Sequence, residues 1–153
     1  WAREISLAYE KTGVDPFWLA AIMDRESNGG DTLRPRGPAG TGDSGHGRGL
    51  MQIADGSFKV WVATHDWRDP LTNVVKGAEV IKQKRAALAK LLKRAPSIEE
   101  VTASYNTGEG NVRKSVTAKP PRHPDSTTTG GDYSVDVLRR YQQFSGRSAP
   151  EFA

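Results

Sequence analysis

Glu26 stands four residues after Ile22, seven after Leu19 and eight after Trp18, which puts it on the apolar side of a helix near its C-terminal end. Partial burial and the negative end of the helix dipole both raise a carboxyl pKa. A carboxyl protonated near neutral pH is what general-acid chemistry requires. The same position also suits a rim carboxylate paired with Arg25 or Arg48, and spacing alone leaves both readings open. A second candidate is Gly45-His46-Gly47-Arg48-Gly49-Leu50-Met51-Gln52-Ile53. It lacks the Gly-Lys-Ser/Thr ending of a phosphate loop and follows no visible strand, so it is expected to bring backbone close to a ligand, with Met51 and Gln52 as walls. Asp43 and Asp55 flank it and supply a second carboxylate. Third, Tyr105 and Asn106 precede Gly108 at a helix end; they suit stacking on a sugar and hydrogen bonding to it, and equally an ordinary helix termination. His46, His65 and His123 have no metal-ligand spacing.

The elements that must hold these groups read as helices. Trp1, Ile5, Ala8 and Tyr9 recur at helical spacing and stop at Gly13. Asp15-Pro16 opens a second helix, Phe17 to Ser27, closed by Asn28-Gly29-Gly30. Nine of the 16 glycines lie between Gly29 and Gly56, and the stretch from Gly29 to Gly49 is expected to be a shaped, irregular loop. Ser57 to Thr64 reads as a short helix. Asp69-Pro70 caps the longest one, whose mostly apolar stripe of Leu71, Val74, Val75, Ala78, Ile81, Arg85, Leu88 and Leu92 ends before Pro96. Ser97 and Glu100 form a capping box for a helix from Ile98 to about Tyr105. A further helix spans Glu109 to Val116, a Pro/Thr/Gly loop spans Lys119 to Gly131, and Asp132 caps a final helix through Phe144. No alternating strand pattern runs longer than a few residues, so the class is all-α or α-dominated.

The chain has 153 residues, 36% hydrophobic and 26% charged, which suits one compact domain without metal or disulfide. The absence of cysteine excludes a disulfide scaffold, a thiol nucleophile and cysteine metal sites. No apolar run is long enough for a membrane span. A net charge of +4 and a pI of about 9.5 favour polyanions in general. Aromatic and basic residues are poorly interleaved, so nucleic acid is not an expected partner. The start at Trp1, without an initiator Met or a signal-peptide pattern, suggests a mature form or an excised domain.

Taken in order, Glu26-Ser27, Gly49-Leu50-Met51-Gln52-Ile53, Tyr105-Asn106-Thr107-Gly108 and the later Tyr133 resemble the successive motifs of goose-type lysozymes and related lytic transglycosylases, over residues from about 15 to 145. The stretch from Asp43 to Gln52 is closer to the goose-type branch. The resemblance implies a lysozyme-like helical fold, a single catalytic domain over 1–153, and a cleft for peptidoglycan glycan strands. Glu26 would protonate the oxygen linking N-acetylmuramic acid to N-acetylglucosamine. Gln52, Tyr105, Asn106 and Tyr133 would line the sugar subsites, with Ser27, His46, Gly49, Leu50, Met51 and Ile53 counted beside them. Of the two Asp residues that position a water in the goose-type branch, one matches Asp43. The other falls on Ala54, with Asp55 one residue further on.

That departure bears on mechanism. A water-using inverting hydrolase needs a second carboxylate about 6.5–9.5 Å from the acid. A transglycosylase uses the muramic acid's own C6 hydroxyl, and one carboxyl serves as acid and then base. Hydrolysis is favoured narrowly over transglycosylation; a degenerate, non-catalytic glycan-binding module is the reading from another class. No cofactor is implied. A monomer is expected of a cleft enzyme this small, acting outside the cytoplasmic membrane, with any inhibitor or immunity partner unspecified.

Overall fold

The computed structural model describes residues 1–152. Seven α-helices carry it: α1 Ala2–Thr12, α2 Pro16–Ser27, α3 Lys59–Thr64, α4 Pro70–Leu92, α5 Ile98–Thr107, α6 Glu109–Val116 and α7 Tyr133–Ser145. The expected boundaries hold to within about two residues, and the all-α class holds with them. The chain divides into two compact units, residues 1–79 and 80–152, with α4 contributing its first turns to one and its remainder to the other.

In the first unit α2 is the central rod. Asp15 caps it, its Oδ1 accepting from the Phe17 N–H at 2.9 Å, and Pro16 occupies the first helical position, where no N–H is needed. Trp18, Leu19, Ala21, Ile22 and Met23 are all buried, so α2 is walled by protein along most of its length. The stripe expected on α1 is only partly used: Ala8 is buried, whereas Trp1 and Tyr9 stay 43% and 49% exposed. Trp1 instead donates its indole N–H to the Gly29 carbonyl at 2.8 Å.

The glycine-rich stretch is more ordered than expected. Three two-residue strands, β1 Thr41–Gly42, β2 Gly47–Arg48 and β3 Ile53–Ala54, form an antiparallel sheet in sequential order. Strands this short have no period to read, which is why the sequence hides them.

In the second unit Val80, Ile81 and Leu88 of α4, Val101 and Ala103 of α5, Val112 of α6, and Tyr133, Val137 and Tyr141 of α7 form the core. The Ser97–Glu100 capping box is present in both directions, and Arg94 grips the Glu100 carboxylate with two hydrogen bonds of 2.9 and 2.5 Å. The expected cap of α7 differs. Asp132 stands at the N-cap position but makes no side-chain capping bond. Asp125, fully buried in the preceding loop, accepts from the Ser134 N–H at 2.8 Å, the Val135 N–H at 3.2 Å and the Ser134 hydroxyl at 2.8 Å. A carboxylate at the positive end of a helix is favoured by the dipole as well as by these bonds.

Candidate active site

Glu26 sits in the last turn of α2 and is half-buried. The turn that ends the helix is fixed by the next residue. The Ser27 hydroxyl donates to the Leu50 carbonyl at 2.7 Å and accepts from the Gly30 N–H at 3.1 Å. Ser27 is itself fully buried, so its side chain ties α2 to the loop rather than facing a ligand. Leu50, Met51 and Ile53 are likewise at most 2% exposed and act as core.

Three of the loop's glycines, Gly42, Gly47 and Gly49, make room for the chain's own side chains, where the sequence suggested close approach to a ligand. Gln52 has a positive φ of 50°, and its amide folds back to donate to the Gly49 carbonyl at 2.8 Å. In that position its Oε1 lies over β1 and β2. A methyl group at Gly42 or Gly47 would fall 2.4 or 2.1 Å from it. Gly49 is buried and makes room for Asn73 in the same way, with 2.4 Å from a would-be Cβ to Nδ2.

Asn73 is the residue that sequence reasoning missed. It lies on α4, 1% exposed, within the apolar stripe. Its Nδ2 donates to the carbonyls of Arg48 and Trp67, each at 3.0 Å, and its Oδ1 accepts from the Met51 N–H at 2.8 Å. One side chain thus does for the loop what a ladder of backbone pairs would do elsewhere. The available signal was an amide inside a helical apolar face, a position that demands buried partners.

The two aspartates beside the loop differ sharply. Asp43 is exposed, on backbone of positive φ (48°), and its carboxylate has no hydrogen bond or ion pair with another described residue. Left-handed backbone at a non-glycine residue costs of order 1–3 kcal/mol and persists where the surroundings impose it. Asp55 is fully engaged: Oδ2 takes the Arg48 guanidinium at 3.0 Å and Oδ1 lies 3.2 Å from His46 Nδ1. The hydrogen bond with His46, and the charges of His46 and Arg48, hold the Asp55 carboxyl below its ordinary value against a smaller opposing effect of desolvation. Arg48 also lies 5.4 Å over the Trp67 ring. Since Arg48 serves Asp55, the alternative in which it pairs with Glu26 loses its partner.

Register separates Asp55 from the neighbouring position. Gly47 pairs with Ala54 across β2 and β3, so Ala54 shares the face over which Gln52 lies. His46, Arg48 and Asp55 meet on the other face. A step of one residue along a strand reverses the side chain, so Asp55 is not a displaced copy of an acid at position 54.

The remaining expected residues belong to the second unit. Tyr105 is half-buried at the end of α5. Asn106 is exposed, and its Oδ1 accepts from the Thr129 N–H at 2.9 Å, while the Thr107 hydroxyl donates to the Thr127 carbonyl at 3.0 Å. These bonds fasten the loop of residues 119–131. Tyr133, 1% exposed, is a core residue at the start of α7.

The profile of the family described as Lysozyme g matches residues 1–148. The chain belongs to the lysozyme g family. Among similar proteins of that name, the one from Struthio camelus is 33% identical over 138 residues, covering 88% of this chain and 61% of the relative. The one from Dromaius novaehollandiae is 30% identical over the same shares. The one from Takifugu rubripes is 32% identical over 148 residues, covering 92% of this chain and 71% of the relative. The chain therefore spans about three fifths of the length of the first two lysozyme g relatives. Among the described residues no helix is long and apolar enough to cross a membrane.

Proposed function

We propose that this chain is a muramidase that cleaves the β-1,4 bond between N-acetylmuramic acid and N-acetylglucosamine in peptidoglycan, outside the cytoplasmic membrane. The match to the lysozyme g family along nearly the whole chain carries the reading. Glu26 is the general acid that protonates the glycosidic oxygen, held by a buried helix whose last turn is tied down through Ser27. That tie limits the movement of the acid, and a proton donor must be within hydrogen-bond reach of the oxygen it serves.

Of the two aspartates, Asp43 is the one whose oxygens are available to orient a water, and the mechanism proposed is hydrolysis with inversion. Asp55 is assigned to holding the loop. Its lowered pKa makes it a weak base, and both its oxygens are already in use. Gln52, Tyr105 and Asn106 are the proposed sugar contacts. The single free aspartate also supports a second reading, transglycosylation, in which Glu26 serves as acid and then as base. Mass spectrometry of fragments released from purified peptidoglycan separates the two. Reducing-end muramic acid is expected; ends lighter by one water identify transglycosylation. Glu26→Gln keeps the size of the side chain and removes its proton, so it should release no fragments while remaining folded. Fragment release by that variant at the wild-type rate would overturn the assignment of the acid.

A further inference from the structure

Lys76 is the most unusual charged residue of the first unit. It lies on α4, only 7% exposed, where lysine is rarely found unless paired. Its ammonium carries three donors, yet the one carboxylate oxygen within 4 Å among the described residues is Glu79 Oε2 at 3.9 Å, too far for a hydrogen bond. The rings of Phe58 and Trp61 face it, their centroids 4.7 and 5.5 Å away. They favour its charge but offer no oxygen to its N–H groups. The stem of the side chain is buried while the ammonium at its tip has no hydrogen-bond partner among the described residues, which leaves its donors open to a ligand or solvent.

The ammonium borders a cavity of about 340 Å³ lined by α1, α3 and the first turns of α4. Lys11 adds a second cation, Leu71 and Val75 give apolar walls, and Glu79 gives one acidic edge. This volume lies at the lower end for small-ligand sites and suits a dipeptide-sized group rather than a glycan chain. Sugar stacking is also disfavoured. The Trp61 ring is already stacked on His65, with centroids 5.1 Å apart and planes 16° from parallel.

We propose that this cavity is a second ligand site, which takes the free carboxylate of a short peptide bearing small apolar side chains. The carboxylate pairs with Lys76 and Lys11, and the methyl-sized side chains lie against Leu71 and Val75. The site is independent of glycan cleavage, and none of its lining residues belongs to the proposed catalytic set. Charge-assisted hydrogen bonds to an ammonium are the strong kind, so removing the charge on either partner should weaken binding about tenfold or more.

The test is an NMR titration that follows the Trp61 indole N–H, identified with a Trp61→Phe variant. The probes are N-acetyl-alanyl-alanine in its L,L and D,D forms, the corresponding methyl esters, and inorganic phosphate at matched ionic strength. Saturable shifts with at least one of the two acids are expected, with the ester of that acid at least tenfold weaker. Lys76→Met, which keeps the length and removes the charge, should weaken acid binding by a similar factor, and Lys11→Met by less. The ester comparison needs no mutation, so it stands even if Lys76→Met folds poorly. An ester that binds as well as its acid, no saturable shift with either acid, or phosphate binding as tightly as the acids would overturn the proposal.

Discussion

Gly47→Ala isolates the packing logic of the glycine loop. Gly47 is buried with no positive φ, so an alanine meets no backbone strain there. Its methyl would lie 2.1 Å from Gln52 Oε1 and 2.7 Å from Cδ, so the amide must leave. Overpacking of this kind costs about 1–3 kcal/mol. The displaced amide also gives up its 2.8 Å bond to the Gly49 carbonyl, worth about 1 kcal/mol. The sum is about 2–4 kcal/mol. Gln52→Ala alone loses the bond and some packing, about 1–2 kcal/mol, but removes every atom beyond Cβ that the new methyl strikes. The double variant should therefore be about as stable as Gln52→Ala, so the coupling in a double-mutant cycle equals the whole cost of Gly47→Ala, about 2–4 kcal/mol. Urea unfolding followed by tryptophan fluorescence measures it, provided the m-values agree. Gly45→Ala is the control. Gly45 has a φ of 94° with open space beside it, so its cost is conformational and should be unchanged when Gln52 is alanine. If the costs of Gly47→Ala and Gln52→Ala simply add, the steric account of the loop is wrong.

Asp43→Asn should slow fragment release by an order of magnitude or more while leaving the urea midpoint nearly unchanged, because Asn tolerates the same left-handed backbone. Asp55→Asn should do the reverse, lowering stability and sparing much of the rate; equal effects of the two would remove the distinction drawn between them. Asp125→Ala strips four donors of a buried acceptor and should cost about 3 kcal/mol or more by calorimetry or urea unfolding, with Asp125→Asn costing less. Acid sensitivity follows from lowered carboxyl pKa values, three of which belong to ion-paired groups. Burial alone would raise the Glu100 value, but the hydrogen bonds and charge of Arg94 and the bonds from Ser97 outweigh it. A hydrogen bond from Lys84 lowers Glu109, and His46 with Arg48 lowers Asp55. A group whose pKa is lower folded than unfolded contributes its full stability above the unfolded value and loses it as pH falls through the folded one. The urea midpoint should thus change little on these groups' account above about pH 5 and fall below about 4.5, the ordinary glutamate value. In Lys84→Met that fall should be shallower; an identical profile would argue against the Lys84–Glu109 contribution.

The helices were legible because their signals are local and redundant. Asp15-Pro16, Asp69-Pro70 and the Ser97–Glu100 box each state a start within four residues, and helical spacing states a buried face. Strands of two residues carry no such redundancy, so the sheet of residues 41–54 could not be read. The cap of α7 was misread for a related reason. Asp132 has the right residue type at the right place, whereas the operative carboxylate, Asp125, lies nine residues before Ser134 and acts through space. At the candidate site, Glu26 and the loop are singled out by residue type. Asn73, the Arg48–Asp55 pair and the burial of Ser27 are matters of side-chain direction, which spacing does not encode. The shift from Ala54 to Asp55 was visible in the sequence, but its meaning came only with the register of β2 against β3.

The source of each helix cap also bears on the order in which the second unit assembles. The box that starts α5 is contained in residues 97–100, so that helix can nucleate as soon as its own chain is free. The first turn of α7 cannot. Its N–H groups at Ser134 and Val135 wait for a carboxylate that the turn at Pro124–Thr127 must first swing into place. Along a refolding time course, amide protection at Ser134 and Val135 should therefore follow closure of that turn, while protection at Glu100 precedes both.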